Sequence, residues 1–216
     1  MKKTLAAIIL LAISAGAFAA DFSIGAGGAI ESLTWLDLKA SSGPATFESK
    51  FNRTPFEVKV YADVTILQLS VGYLFMSGGS YYSTSTGAST PTDWMSYITF
   101  AAYGKYPFSF GPVSIFPLIG MEYRLNLWWK DSSGNDLKAA LPSQWQSSLN
   151  ELWLQGGAGV DVNFGRFYVR SELLLGFKAA MSTMDTDLLT PFQVPGVTSS
   201  MSYFTVNVDF LAGYKL

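Results

Sequence analysis

Three pairs of opposite charges lie two residues apart along the chain, and this spacing places both members of a pair on one face of a β-strand. The pairs are Glu57 and Lys59, Glu122 and Arg124, and Arg170 and Glu172. Asp209 adds a carboxylate near the C-terminus. Paired carboxylates suit general acid–base chemistry. Neighbouring bases keep carboxylates ionised, however, so we interpret these seven residues as a network of ion pairs.

Two absences limit the chemistry further. The 216 residues include neither His nor Cys. Without His the chain lacks the commonest general base, and without Cys it has neither disulfides nor thiol chemistry. A metal site would need carboxylates alone; Asp185 and Asp187 offer a weak calcium site and are better explained as solvated residues. We therefore expect no catalytic, metal-binding or cofactor-binding residues.

The composition is that of one apolar domain. Charged residues make up 14% of the chain and aromatic residues 15%, against about 25% charged residues in an average soluble domain. The net charge is −2 and no basic run occurs, so nothing indicates a nucleic-acid partner.

The N-terminus has the pattern of a targeting segment. Lys2 and Lys3 precede an apolar stretch, Leu5 to Ile13, and Ala17-Phe18-Ala19 follows as a small-residue cleavage site. We expect residues 1–20 to be a cleaved signal peptide and residues 21–216 to be the mature domain; the alternative is an uncleaved anchor helix. No later apolar run reaches the roughly 18 residues that a membrane-spanning helix requires.

Strict alternation of apolar and polar residues organises the rest of the chain, and it predicts β-strands. At the C-terminal end the apolar positions are Phe204, Val206, Val208, Phe210, Ala212, Tyr214 and Leu216. Eight such strands are predicted, at about 22–30, 55–64, 67–75, 95–106, 113–128, 152–162, 167–178 and 201–216. Pro117 interrupts the fifth strand, and because proline lacks a ladder donor we expect either a bulge there or a strand that pairs fully only after it.

The connections between these strands alternate between long and short. Long loops are predicted at 36–54, 78–93, 129–149 and 179–200, with a short helical turn within 139–152. An even number of strands with long loops at one end and short turns at the other is typical of a single-chain outer-membrane barrel.

Alternation alone leaves two barrels open, because a lipocalin-like soluble barrel would point its apolar face inward. The strand glycines favour a lipid-facing apolar side, since most of them share the polar face and an eight-stranded interior has little room. The charges of that polar face look balanced, as a closed polar lumen requires. Apolar-face aromatics such as Phe75, Trp94, Phe167 and Tyr214 lie near strand ends, where interfacial girdles form.

The final strand resembles the C-terminal sorting strand of bacterial outer-membrane barrels, although that family usually ends in Phe and this chain ends in Leu216. Over residues 21–216 the pattern resembles the small OmpA-transmembrane, OmpX and OmpW superfamily. The resemblance implies an eight-stranded antiparallel up-and-down transmembrane barrel, an outer-membrane location and a non-enzymatic structural, adhesive or small-solute role. The partners it implies are bilayer lipid, lipopolysaccharide or another outer-leaflet lipid, the barrel-assembly machinery and a surface ligand.

Aromatic residues in or beside the predicted loops form a second candidate site. They are Trp35, Phe51, Tyr81, Tyr82, Trp128, Trp129, Trp145 and Phe192. Exposed aromatic clusters mark binding surfaces, but these residues would equally cap the barrel by packing on one another. Two functions follow: a surface-interaction barrel with a plugged lumen, or a conduit for small apolar molecules. The charge pairs likewise fit a plugged interior or a salt-bridge gate, and the narrow eight-stranded bore favours the plug.

Overall fold

A computed structural model describes residues 22–42, 45–64, 66–84, 87–89, 93–179 and 198–216. The expected signal peptide lies outside these ranges, as do Asp185, Asp187 and Phe192. In chain order the described strands are β1 (Phe22–Ser42), β2 (Ala45–Arg53), β3 (Phe56–Val64), β4 (Leu67–Ser77), β5 (Ser80–Ser83), β6 (Gly87–Ser89), β7 (Trp94–Lys105), β8 (Phe108–Phe110), β9 (Val113–Lys130), β10 (Glu151–Phe164), β11 (Phe167–Lys178) and β12 (Thr198–Lys215).

Eight of these strands form a closed antiparallel barrel. Around the wall the order is β12, β11, β10, β9, β7, β4, β3 and β1, and β1 pairs with β12 to complete the ring. The β1–β12 pairing runs from Ser23 opposite Lys215 to Thr34 opposite Phe204. After a shift in register it continues to Ser41 opposite Thr198. The predicted all-β, eight-stranded up-and-down barrel is confirmed.

The strands form because their side chains sort onto two faces. On β3, for example, Phe56, Val58 and Val60 are about half exposed on the outside, whereas Glu57 and Lys59 are buried inside. The same alternation runs along β11, where each second residue from Tyr168 to Gly176 is buried. The barrel therefore has an apolar outer wall and a polar interior, the reverse of a soluble barrel.

Two of the predicted loops are wrong, because they contain further strands. The stretch 36–54 folds as a β-hairpin in which β1 continues to Ser42 and β2 pairs with it back to Arg53 opposite Leu33. The stretch 78–93 holds β5 and β6, and β5 pairs with β2. The turn-forming residues in these stretches mark hairpin tips rather than whole loops, and the hairpins extend one side of the wall beyond the barrel.

Of the two alternatives expected at Pro117, the bulge is wrong, whereas pairing that becomes full only after the proline is seen on the β7 side. Pro117 lies opposite Ala158 of β10 with no shift in register. On its other side, β7 ends at Lys105 opposite Leu118, and β8 begins its pairing with β9 at Phe108 opposite Ile115. Proline therefore occupies the gap between two pairing strands, where its missing N–H is not required. The register shifts instead in β1 near Thr34 and between β7 and β9 near Ser96.

The third long loop begins after Lys130 and is partly helical. It contains α1 (Leu137–Ala140), α2 (Ser143–Gln146) and a 3-10 turn, Ser147–Leu149, in agreement with the predicted helical turn. Asp136 caps α1 by accepting a 3.1 Å hydrogen bond from the backbone N–H of Ala139. No helix within the described ranges is long and apolar enough to cross a membrane.

Interior glycines make room for the charged side chains. A Cβ atom added at Gly72 of β4 would overlap the carboxylate of Glu57 and the hydroxyl of Thr99. At Gly104, on the outer face of β7, an added Cβ would lie 3.7 Å from the carbonyl oxygen of Ile119, an ordinary contact. Space inside the barrel is thus limiting, whereas space on the wall is not.

We predict that Gly72→Ala lowers the free energy of unfolding by about 1–3 kcal/mol, because the added methyl group overpacks the interior. The measurement is a urea titration of the barrel folded in lipid vesicles. Gly104→Ala is the matched control and leaves the unfolding midpoint within experimental error. Equal destabilisation by the two changes would contradict a tightly filled interior.

Candidate functional site in the barrel interior

The structure places all seven residues of the predicted lumen network inside the barrel. Glu57, Lys59, Glu122, Arg124, Arg170, Glu172 and Asp209 are each at most 5% exposed. Strand alternation alone positions them there, since each shares its face with the interior glycines. Their contacts gather around three cations, one on each of β3, β9 and β11.

Arg124 of β9 makes the contact that spans the bore. Its Nε atom donates to Glu122 Oε1 at 2.6 Å, and its Nη2 atom donates to both carboxylate oxygens of Glu31 at 3.0 and 3.1 Å. Glu31 lies on β1, four strands away from β9 in either direction around the wall. The hydroxyl of Thr205 also donates to Glu31. A buried ion pair thus joins opposite sides of the barrel.

Lys59 of β3 holds two carboxylates on its own half of the wall. Its Nζ atom lies 2.8 Å from Glu57 Oε2 and 2.9 Å from Asp209 Oδ2 on β12. Thr99 of β7 donates its hydroxyl hydrogen to Glu57. Asp209 and Thr99, from two other strands, therefore hold Lys59 and Glu57 in place, which compensates for the loss of water around these charges.

Arg170 of β11 is the hub nearest the short-turn end. Its Nε atom donates to Asp161 Oδ1 at 2.6 Å, and its Nη2 atom donates to Asp63 Oδ2 at 2.7 Å. Its Nη1 atom donates to Gln68 Oε1 at 2.9 Å, and Gln68 Nε2 donates to Glu172 Oε2 at 3.2 Å. Because β4 and β11 are also four strands apart, Gln68 forms a second link across the bore.

Aromatic rings fill the space around Arg170. Its guanidinium carbon lies 4.8 Å from the ring centre of Phe116 and 5.2 Å from the rings of Tyr61 and Tyr168. The hydroxyl of Tyr61 donates to that of Tyr168 at 2.9 Å, and Ser23 lies 2.8 Å from the same oxygen. Cation–π contact and hydrogen bonds together close this end of the interior.

The interior charges are not balanced, contrary to the expectation from the sequence. Among the described residues eight buried carboxylates face four buried cations and Lys105, whose side chain is 6% exposed and pairs with Asp63. Glu31, which shares the polar face predicted for the first strand, and Glu151, one residue before the predicted sixth strand, supply two of these carboxylates near strand ends. Arg53 at the mouth is also buried, and it pairs with Asp93. Continuing the alternation by one or two residues would have identified these positions.

An apolar cluster fills the long-loop end of the barrel. Its buried members are Leu33, Leu74, Met76, Met95, Tyr97, Leu149 and Trp153. Leu149 reaches this cluster from the third loop, and Trp129 and Leu141 pack against it. The indole N–H of Trp129 donates to Asp93 Oδ2 at 2.5 Å. The third loop therefore folds into the mouth and covers the charged interior.

The predicted loop aromatic cluster is divided between different surfaces. Phe51 and Tyr81 contact each other with ring centres 6.3 Å apart, and Tyr82 beside them is 46% exposed. Trp128 packs on the outer wall, 6.1 Å from Phe75, whereas Trp129 points to the mouth.

The other three members of that predicted cluster are Trp145, Trp35 and Phe192. Trp145 is half-buried in α2. Trp35 lies within β1, and the structure describes only its backbone; Phe192 lies outside the described residues. What the described members share is the long-loop end of the barrel rather than one contact surface.

Outside the mouth, the third loop has its own local order. Asp131 accepts 2.9 Å hydrogen bonds from the backbone N–H groups of Ser133 and Asn135 and a 2.8 Å bond from the Asn135 side chain. The side-chain bond from Asn135 contributes most to lowering the pKa of Asp131 below the usual value for an aspartate. Across the described ranges, no three acidic side chains come together in an arrangement that would hold a metal ion.

Aromatic rings border the apolar wall at both ends. Phe75 packs edge-on against Trp94 at 6.5 Å at the long-loop end, and Phe167 packs against Tyr214 at 5.0 Å at the short-turn end. Between these rings the wall exposes large apolar side chains such as Ile119, Leu173 and Phe210. A closed sheet with an apolar outer wall, aromatic borders and a charged interior defines a transmembrane β-barrel.

No protein-family model matches the chain, and neither does any curated protein. Among solved structures it is similar to Neisserial surface protein A, with 13% identity and a TM-score of 0.46 over 89% of this chain and 99% of that chain. It is also similar to Ail of Yersinia pestis, the attachment invasion locus protein (11% identity, TM-score 0.34, 88% and 99% coverage). A third similarity is to the translocator domain of the autotransporter NalP from Neisseria meningitidis (11% identity, TM-score 0.31, 100% and 96% coverage). At these values the similarities say nothing about function.

We predict that Arg124→Ala lowers the unfolding free energy of the vesicle-embedded barrel by about 3–5 kcal/mol, because it leaves buried carboxylates without their cation. Adding Glu31→Ala should cost less than the sum of the two single changes, because the residues interact directly. The exposed pair Lys39 and Glu48, 3.4 Å apart, is the control, and its double change should be additive within about 0.5 kcal/mol. Additivity at Arg124 and Glu31 would show that the bore-spanning pair is absent.

Proposed function

We propose that the protein is a non-enzymatic integral barrel of the bacterial outer membrane with a closed lumen, acting in structure or surface interaction through its long-loop end. The observation that carries this proposal is the Arg124–Glu31 ion pair, which bridges opposite strands in the middle of the bore. Residues 21–216 form the barrel domain in this proposal, and residues 1–20 are removed on export.

Three successive layers support a closed lumen. The apolar cluster around Trp153 and Leu149 fills the mouth. The bridge from Arg124 to Glu31 lies beneath it, and Arg170 with its carboxylates and rings fills the short-turn end. Since an eight-stranded barrel is just wide enough for side chains, these layers favour a lumen that hydrated ions do not cross.

The long-loop end supports a role in surface interaction. There the β1–β2 hairpin is joined by β5 and β6, so a small sheet continues beyond the barrel wall. This sheet presents exposed Tyr82 next to the Phe51–Tyr81 pair, and exposed Lys39 and Glu48. An extended sheet with mixed aromatic and charged side chains is a surface that a protein or glycan ligand can contact.

The second candidate function is a binding protein or conduit for small apolar molecules. The apolar cluster at the mouth favours it, because Met76, Met95 and Trp153 would suit an apolar ligand. In the structure Leu149 occupies that cluster, so a ligand would have to displace the third loop. The test is binding of the apolar fluorophore N-phenylnaphthylamine to the folded barrel. Saturable binding to the wild type, abolished by Leu149→Trp, would favour this function over the closed barrel.

We predict that the wild-type barrel gives no stable ionic conductance in a planar lipid bilayer at neutral pH, because its interior layers exclude hydrated ions. The measurement uses the same preparation in which heat-modifiable gel migration shows that the barrel is folded and inserted. Long-lived conductance steps from this folded protein would refute the closed lumen.

We also predict the orientation of the barrel. A membrane-impermeant thiol reagent should label Ser133→Cys in intact cells, because this exposed residue belongs to the third long loop. Ser109→Cys is an equally exposed control at the short-turn end and should react only after the outer membrane is permeabilised. The opposite labelling pattern would reverse the orientation, and labelling at both sites in intact cells would argue against membrane insertion.

A further inference from the structure

The outer wall has an apolar hollow near the short-turn end. It is an open depression with a volume of about 790 Å³, lined by residues of β11, β12, β1, β3 and β4. Ala26, Ala62 and Ala212 form its floor, and Leu69, Phe167 and Tyr214 are among the larger side chains around it. Cavities that bind small molecules are of this size, about 300–1,000 Å³.

The hollow exists because small side chains lie next to one another on neighbouring strands. Ala26 of β1 is directly opposite Ala212 of β12, and Ala62 of β3 is opposite Ile24 one position along the same face of β1. Larger outward residues lie on the same strands, such as Phe210 of β12, which is 62% exposed. The alanines therefore leave a recess within a wall of larger side chains.

In a bilayer this recess lies among lipid chains, and its lining offers water few partners. An empty recess forfeits dispersion contacts along its whole lining, so an acyl chain in van der Waals contact with the alanines is the favoured occupant. Two convex barrel walls touch along a narrow line, so a second copy of the chain would cover a recess that extends over several strands only in part.

A positive charge lies at the rim of the hollow. Arg166, in the turn between β10 and β11, is exposed and donates from Nη1 to the hydroxyl of Tyr214 at 3.3 Å. Tyr214 itself lines the hollow and packs against Phe167. Lys215 follows Tyr214 in sequence. A guanidinium beside an apolar recess matches the phosphate of a lipid whose acyl chain occupies that recess.

We propose that this hollow binds one anionic glycerophospholipid from the leaflet on the short-turn side, with an acyl chain against Ala26 and Ala212 and the phosphate at Arg166. The inference rests on the membrane location proposed above, and it goes further by identifying a lipid site and its chemical class. It does not depend on whether the lumen is closed.

The test is native mass spectrometry of the folded barrel in dodecyl maltoside, titrated with phosphatidylglycerol. Wild-type protein should retain one lipid, and Ala26→Trp should weaken that binding at least tenfold by filling the hollow. Ala158→Trp changes another exposed, outward alanine on β10, outside the hollow, and should leave binding unchanged.

A second pair of variants tests the charge. Arg166→Gln should weaken phosphatidylglycerol binding about fivefold, as expected for one basic group near a lipid phosphate. Lys130→Gln removes an exposed cation at the opposite end of the wall, 5.7 Å from the ring centre of Trp128, and should have no effect. Diacylglycerol has the acyl chains but lacks the charged phosphate. Its affinity for the wild-type protein should not exceed the affinity of phosphatidylglycerol for Arg166→Gln.

The lipid site would be overturned if the wild type retained no lipid, or if all four variants bound lipid equally. It would also be overturned if the protein formed a dimer that Ala26→Trp disrupts, because a second copy of the chain would then be the occupant. Heat-modifiable migration establishes that each variant is folded. Loss of lipid binding with an unchanged, non-conducting lumen would refute this site alone, whereas stable conductance with normal lipid binding would refute the closed lumen alone.

Discussion

Closure of the sheet between β1 and β12 is the constraint on which the rest of the structure depends. A wall that faces hydrocarbon has no water to satisfy its backbone, so each N–H and C=O group needs a partner within the protein. The long register from Ser23 opposite Lys215 up to Ser41 opposite Thr198 supplies the last row of these partners. Once the ring closes at eight strands, its diameter is fixed, and with it the space available to every inward side chain.

The charged interior follows from that diameter. Arg124 and Glu31 meet because opposite walls of such a narrow ring are within reach of two long side chains. The same closeness explains why glycine occupies positions such as Gly72, beside the Glu57 carboxylate. Removing water from these charges is costly, and the ion pairs and hydroxyl donors offset that cost rather than produce a large net gain. The charged interior therefore contributes more to selecting one arrangement of the strands than to the free energy of unfolding.

Alternation with a period of two was sufficient to predict the strands, their faces and the inward position of Arg124, because that period is a local property of the chain. It does not determine the stagger between strands, so the partnership of Arg124 with Glu31 was not predictable from the sequence. Turn residues near Ser42 mark only the tip of the β1–β2 hairpin, and the pairing on either side of it depends on the neighbouring strand, which a local pattern does not show. The choice between the two alternatives at Pro117 likewise depends on where β7 ends.

The register shift in β1 between Thr34 and Asp37 separates two regions of one strand. Below it the strand is held by β3 and β12 in the barrel, and above it the strand pairs with β2 in the hairpin and with the first residues of β12. Because the pairing of β1 with β3 ends at Ile30, below this irregularity, residues can be exchanged near the tip of the hairpin without moving any barrel side chain to the wrong face. The barrel can thus stay constant while the outermost residues of the hairpin vary.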